Sequence, residues 1–219
     1  MMNWKQLISA KRFGMEEFHE ERQENRSEFQ RDYDRLIFSA PFRRLQNKTQ
    51  VFPLPGSVFV HNRLTHSLEV ASVGRSLGDD VAKALLERHP ELQDSFLPEI
   101  GSIVSAACLA HDLGNPPFGH SGEKAISTFF SEGKGVRLKE KQPNGEQLSP
   151  MEWEDLTHFE GNANAFRILT HQFEGRRKGG FVLTYTTLAS IVKYPFSSSL
   201  AGTKSKFGFF VSEEEVSKK

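Results

Sequence analysis

The 219-residue sequence predicts an all-α fold, and three stretches carry that expectation. Residues 64–89 place Leu64, Leu68 and Ala71 on one helical face and continue through Val70, Val73, Leu77, Val81, Leu85 and Leu86, a run read as core. Ile103-Val104-Ser105-Ala106-Ala107-Cys108-Leu109-Ala110 is an apolar segment that reads as a buried helix. Its expected stop is Gly114, followed by Asn115-Pro116-Pro117. Proline lacks the amide hydrogen and pushes the residue before it out of the α region. A third helix is expected from about Gly119 to Phe130.

Composition bounds the partners. Lys+Arg and Asp+Glu both number 28, so the net charge is zero and no overall field draws nucleic acid or membrane. The length suits one domain with a real core. The single cysteine, Cys108, excludes a disulfide framework and fits a reducing cytoplasm. Inside an apolar run it reads as a small buried hydrophobe rather than a nucleophile. The start, Met1 to Lys5, carries no signal-peptide core, and no apolar run reaches membrane-spanning length. A soluble, cytoplasmic protein without a membrane partner is expected.

In chain order, residues 1–33 are charged and polar around Trp4, Leu7, Ile8, Phe13 and Phe18, and read as a peripheral arm or helix. The remaining domain is expected over 34–219. Leu36, Ile37, Phe38, Phe42 and Leu45 alternate with Arg35, Arg43 and Arg44, and Pro41 argues against one unbroken helix. Short extended segments are expected near 48–60, ending in Pro55-Gly56, and near 203–211. Arg63 begins the long helical stretch, where a cation gains nothing from the helix dipole, so an anionic partner is favoured. Residues 131–150 are rich in Gly, Lys, Gln, Glu, Asn and Pro and read as a mobile loop or lid. Helices are then expected around 162–169 and 187–193, the latter closed by Pro195.

The chemistry concentrates in two places. Asn62-Arg63-Leu64-Thr65-His66 puts an imidazole in the first turn of a helix, and His111-Asp112 stands at the end of another. Two imidazoles and a carboxylate from helices able to pack side by side suit a divalent metal that keeps open positions. His120 and Glu123, three apart on the next helix, share a face, and a carboxylate beside an imidazole suits proton transfer. No glycine-rich phosphate loop, Cys-x-x-Cys pair or Gly-x-Ser-x-Gly elbow is present.

Arg-x-x-His-Ser at 63–67, followed by His-Asp-Leu-Gly-Asn-Pro-Pro-Phe-Gly-His at 111–120 and Gly122-Glu123, strongly resembles the HD-domain deoxynucleoside triphosphate triphosphohydrolases, the dGTPase-like enzymes. The likeness runs from about Arg35 to Phe210. It implies an HD helical bundle and hydrolysis of a deoxynucleoside triphosphate to deoxynucleoside and inorganic triphosphate. The implied cofactor is a divalent metal on His66, His111 and Asp112: magnesium or manganese first, with iron, cobalt, zinc or nickel compatible. By resemblance Gln50 faces the sugar, and Arg63, Lys193, Tyr194 and Lys206 face the phosphates. Phe159-Glu160-Gly161-Asn162-Ala163 recurs beside the active site; Asn162 is carried over, with His158, Glu160 and Asn164 left open. Resembled enzymes form homo-oligomers, and some respond to nucleotides or single-stranded DNA.

The family completes its metal site with a second aspartate from a later helix. Here Glu213, Glu214 and Glu215 are a poor substitute, since an acidic run near a terminus is usually solvated. The expectation is an incomplete HD domain, its fourth ligand beyond Lys219 and its metal affinity and activity weak or absent by itself. Two other readings stand: an HD phosphohydrolase of monophosphates or cyclic nucleotides, and a non-catalytic regulator binding nucleotide or single-stranded DNA.

Overall fold

A computed structural model describes residues 3–17, 25–49, 62–143, 145, 147–175, 178–201 and 206–218. Helices α1 (Trp4–Leu7), α2 (Glu28–Ile37), α3 (Ala40–Arg44), α4 (Arg63–Arg88), α5 (Ile100–Ala110), α6 (His120–Ser131), α7 (Pro150–Thr157), α8 (Gly161–Thr170), α9 (Tyr185–Ile191) and α10 (Glu214–Ser217) follow one another. Strand pairing among the described residues is confined to isolated bridges, Arg12 with Thr184, Thr49 with Asn62 and Ser197 with Phe209. The fold is therefore all-α. The extended segment expected over 48–60 lies mostly outside the described residues, as does Gln50.

Local chemistry explains where the helices begin. The Asn62 side chain accepts from Thr65 N at 2.9 Å and caps α4. Ser39 caps α3 and places Pro41 in its first turn, which is why α2 and α3 are separate. Ser149 and Glu152 form a reciprocal capping box on α7. No helix among the described residues is long and apolar enough to cross a membrane.

The main core gathers Phe13, Leu36, Phe42, Leu45, Ala71, Ala106, Leu109, Leu113, Leu169, Leu183 and Leu188 around the α4–α5 pair. Several expectations differ from the structure. The later turns of α4 bury Ala71, Gly74, Gly78 and Ala82, whereas Val73, Leu77 and Val81 are more than half exposed. Residues 1–33 are not merely peripheral where described: Phe13 joins the main core, while Ile8 and Phe29 pack with Leu92, Leu97 and Ile103. The boundary at 33/34 falls inside α2. Within 131–150, Lys134–Lys139 form a 3₁₀ segment wrapped on Phe129 through Gly135, more ordered than a plain loop. Glu213 is buried and paired with Arg167, so this part of the acidic run is not solvated.

Candidate metal and phosphate site

The turn between α5 and α6 builds the site. His111 caps the end of α5 and Asp112 follows it. Gly114, the expected helix stop, follows the end of α5 by four residues and serves for close approach. A Cβ there would stand 2.1 Å from Ala165 N and 2.1 Å from Gly161 O, so α8 seats directly on the turn. Phe118 and Gly119 then take positive φ angles of 65° and 55°, reversing the chain so that α6 begins at His120. A non-glycine residue held at positive φ stores strain, which the surrounding contacts must sustain.

His66 and His111 meet edge to face with ring centroids 5.3 Å apart. With Asp112 they offer three ligand atoms within 4.8 Å of one another. His111 Nδ1–H donates to the Cys108 carbonyl at 2.6 Å, which orients the ring and leaves Nε2 for a ligand. Asp112 is buried and fixed from two sides, by Arg63 Nη1 at 2.8 Å and by the Asn115 amide at 2.5 Å. This donor set, oriented and anchored before any ion arrives, fits a divalent cation with open positions. Burial pushes the neighbouring Cys108 thiol up, which suits an inert side chain.

A cleft of about 520 Å³ opens beside the trio. Its lining includes Arg63, His111, Asp112, His120, Glu123, Asn162, Lys193, Tyr194 and Lys206. The cleft brings together side chains that are scattered over the sequence. Three details depart from expectation. Arg63, for which phosphate is the expected anion, is buried and paired with Asp112, with its Nε unpartnered. Glu123 does not spend its carboxylate on His120; one oxygen accepts from Gly161 N at 2.9 Å and the other from Lys206 Nζ at 3.3 Å. Lys206 is also clasped by Glu160 at 2.9 Å.

Several residues of the site had no assigned role in the sequence. Asn115 steadies Asp112, and Glu160, wholly buried, caps α8 by accepting from Asn162 N and Ala163 N. Asn164 donates to the Gly114 carbonyl, and His158 points to solvent. Lys48 donates to the Leu113 carbonyl; burial and the adjacent Arg63 pull it below lysine's ordinary range. The only sequence signal for these was position: Asn115 three residues after Asp112, and Glu160 just before a helix.

Comparison with known proteins identifies the family. The HD domain family matches residues 63–181. A deoxyguanosinetriphosphate triphosphohydrolase-like protein of Synechocystis is 46% identical over 98% of this chain and 50% of its own length. One of the same description from Pseudomonas aeruginosa is 47% identical over 97% of the chain and 47% of its length. A deoxyguanosinetriphosphate triphosphohydrolase of Yersinia enterocolitica is 37% identical over 99% and 48%. The chain thus spans about half the length of the curated relatives it matches. With the family match covering more than half of its residues and including His66, His111 and Asp112, this chain belongs to the HD-domain family.

Proposed function

We propose that the protein serves metal-dependent hydrolysis of deoxynucleoside triphosphates, dGTP among them, to deoxynucleoside and inorganic triphosphate. The observation that carries this reading is one cleft lined both by two members of the ligand trio, His111 and Asp112, and by a set of cations, Arg63, Lys193 and Lys206. The relatives' names add the substrate class.

His66, His111 and Asp112 would hold the cation. When bound, such an ion supplies polarisation of a phosphate oxygen and a lowered pKa for its water. The chain's own groups do the rest. Arg63, Lys193 and Lys206 offset phosphate charge that otherwise repels a nucleophile. Tyr194 lies on the same wall, 5.7 Å below the Lys193 ammonium. His120, solvent-accessible at the start of α6, exchanges a proton with the attacking or leaving oxygen.

The test is product analysis with manganese and each deoxynucleotide. Tripolyphosphate together with free deoxynucleoside supports the proposal. Orthophosphate released from a monophosphate points to another HD phosphohydrolase, and tight binding without turnover points to a regulator. Replacing His120 with Gln should lower kcat by about 10²–10⁴ and leave nucleotide affinity nearly unchanged.

A further inference from the structure

Lys48 touches both sides of the metal site at once. Its backbone carbonyl accepts from Arg63 N at 3.2 Å, where α4 begins. Its ammonium donates to the Leu113 carbonyl at 3.2 Å, directly after the ligand Asp112. Arg63 Nη1 in turn donates to Asp112 Oδ2 at 2.8 Å. These hydrogen bonds form a ring that the Asp112–Leu113 peptide closes. His66 stands one helical turn beyond Arg63, and His111 precedes Asp112. The ligand trio therefore divides between the two arms of the ring, α4 and the turn after α5.

That turn depends on donors from outside it. Past the end of α5 its carbonyls have no helical partners. Asn115 N takes the Asp112 carbonyl, and the Asn164 side chain takes that of Gly114. Between them lies the carbonyl of buried Leu113, which has the Lys48 ammonium. A charged donor makes this the stronger kind of hydrogen bond. Thr49 pairs with Asn62 and accepts from Phe118 N at 3.2 Å, so the same short segment also holds the far end of the turn. Charge alone gives no reason for a lysine here. Burial and then Arg63 lower its proton affinity, against the pull of Asp112, and a second cation beside Arg63 repels a metal ion as well. What the side chain supplies is reach, from the segment before α4 to the turn.

We infer, resting on the metal site in the function proposed above, that Lys48 is a positioning residue that sets the spacing between His66 and the His111–Asp112 pair. It offers the ion no ligand. Without its ammonium the Leu113 carbonyl loses its donor, the ring opens, and the turn shifts against α4. The three ligands are then still present but no longer converge on one ion.

Manganese binding to the full chain tests this, because charge and geometry predict opposite signs. Electron paramagnetic resonance of the free ion gives the bound fraction even at low occupancy. Lys48→Met keeps the length of the side chain and removes donor and charge. It should weaken binding about tenfold, as losing a group that orients a metal ligand does. Lys48→Arg, which restores a charged donor, should recover most of that loss. Unchanged or tighter binding by Lys48→Met overturns the inference, and so does a loss of stability in urea melts with manganese affinity unaltered. Should Lys48→Met not fold, Lys48→Gln, neutral and one atom shorter, takes its place with the same outcomes. His66→Ala separates this inference from the reading beneath it. If His66→Ala leaves manganese binding unchanged, the metal site falls and the spacer with it. If His66→Ala abolishes binding and Lys48→Met does not weaken it, the spacer alone falls.

Discussion

Gly161 shows how much of the site hangs on one missing side chain. Its N–H donates to Glu123, and a Cβ there would stand 1.9 Å from Asn115 Oδ1 and 2.9 Å from Glu123 Oε1. Asn115 in turn holds Asp112. Helix propensity alone favours alanine at this position by about 1 kcal/mol. Overpacking costs about 1–3 kcal/mol and falls on a hydrogen-bonded amide, so it prevails. Gly161→Ala should therefore lose stability in urea unfolding, and manganese affinity by calorimetry should fall about 10–100-fold. A gain in stability with unchanged affinity would sever Gly161 from the metal site. At this scale the sequence is half legible. His66, His111 and Asp112 stand out because imidazoles and carboxylates are ligand types whatever surrounds them. Asn115, Glu160 and Gly161 do not, since their roles exist only once α8 seats on the turn after α5. Arg63 reads as a cation in want of an anion, and the sequence does not reveal that Asp112 already supplies one.

The element that departs furthest from its pattern is α4. Hydrophobicity points Val73, Leu77 and Val81 inward, yet the helix is rotated so that Ala71, Gly74, Gly78 and Ala82 meet α5. Small residues on both helices permit backbone approach: a Cβ on Gly78 would stand 2.7 Å from Gly101 Cα, and Ser105 Oγ donates to the Ala71 carbonyl at 3.1 Å. Close contact along the helices gains dispersion from many atom pairs, which counting large side chains in a sequence misses. Two substitutions separate the rotations. Leu77→Lys should change stability by no more than about 0.5 kcal/mol, as an exposed position does. Gly78→Ala should cost about 1–3 kcal/mol despite alanine's better propensity, because backbone cannot move aside. The opposite order in urea melts would restore the orientation read from hydrophobicity.

Across the whole molecule, the ends of the described chain are tied by a buried charge. Arg12 reaches Asp32 at 2.6 Å and the Val182 carbonyl at 2.7 Å, while Asp32 accepts from Thr184 N and Oγ1. The backbone joins in, with Phe13 N donating to Leu183 O and Tyr185 N to Lys11 O. Residues 1–33 read as peripheral because their charges look solvated; a partner 170 positions away is invisible to local pattern. Burial raises the Asp32 pKa above its ordinary value, outweighing the nearby Arg12 charge that lowers it. A buried pair adds little net stability, yet breaking it leaves a bare charge and costs about 3–5 kcal/mol. Arg12→Ala should therefore be severely destabilising, and Asp32→Asn added to it should recover part of the loss. The pH dependence fixes the cause. A carboxyl with a raised folded pKa gives stability that is present at low pH and lost as pH rises through that pKa. Removing Arg12 raises that pKa further, so the variant's deficit should be largest near neutrality and narrow at a pH below the raised Asp32 pKa, where the carboxyl is protonated and needs no cation. Urea melts of the wild type and Arg12→Ala at both pH values measure the gap. An equal gap would assign the loss to the arginine's packing rather than to the charge it leaves behind.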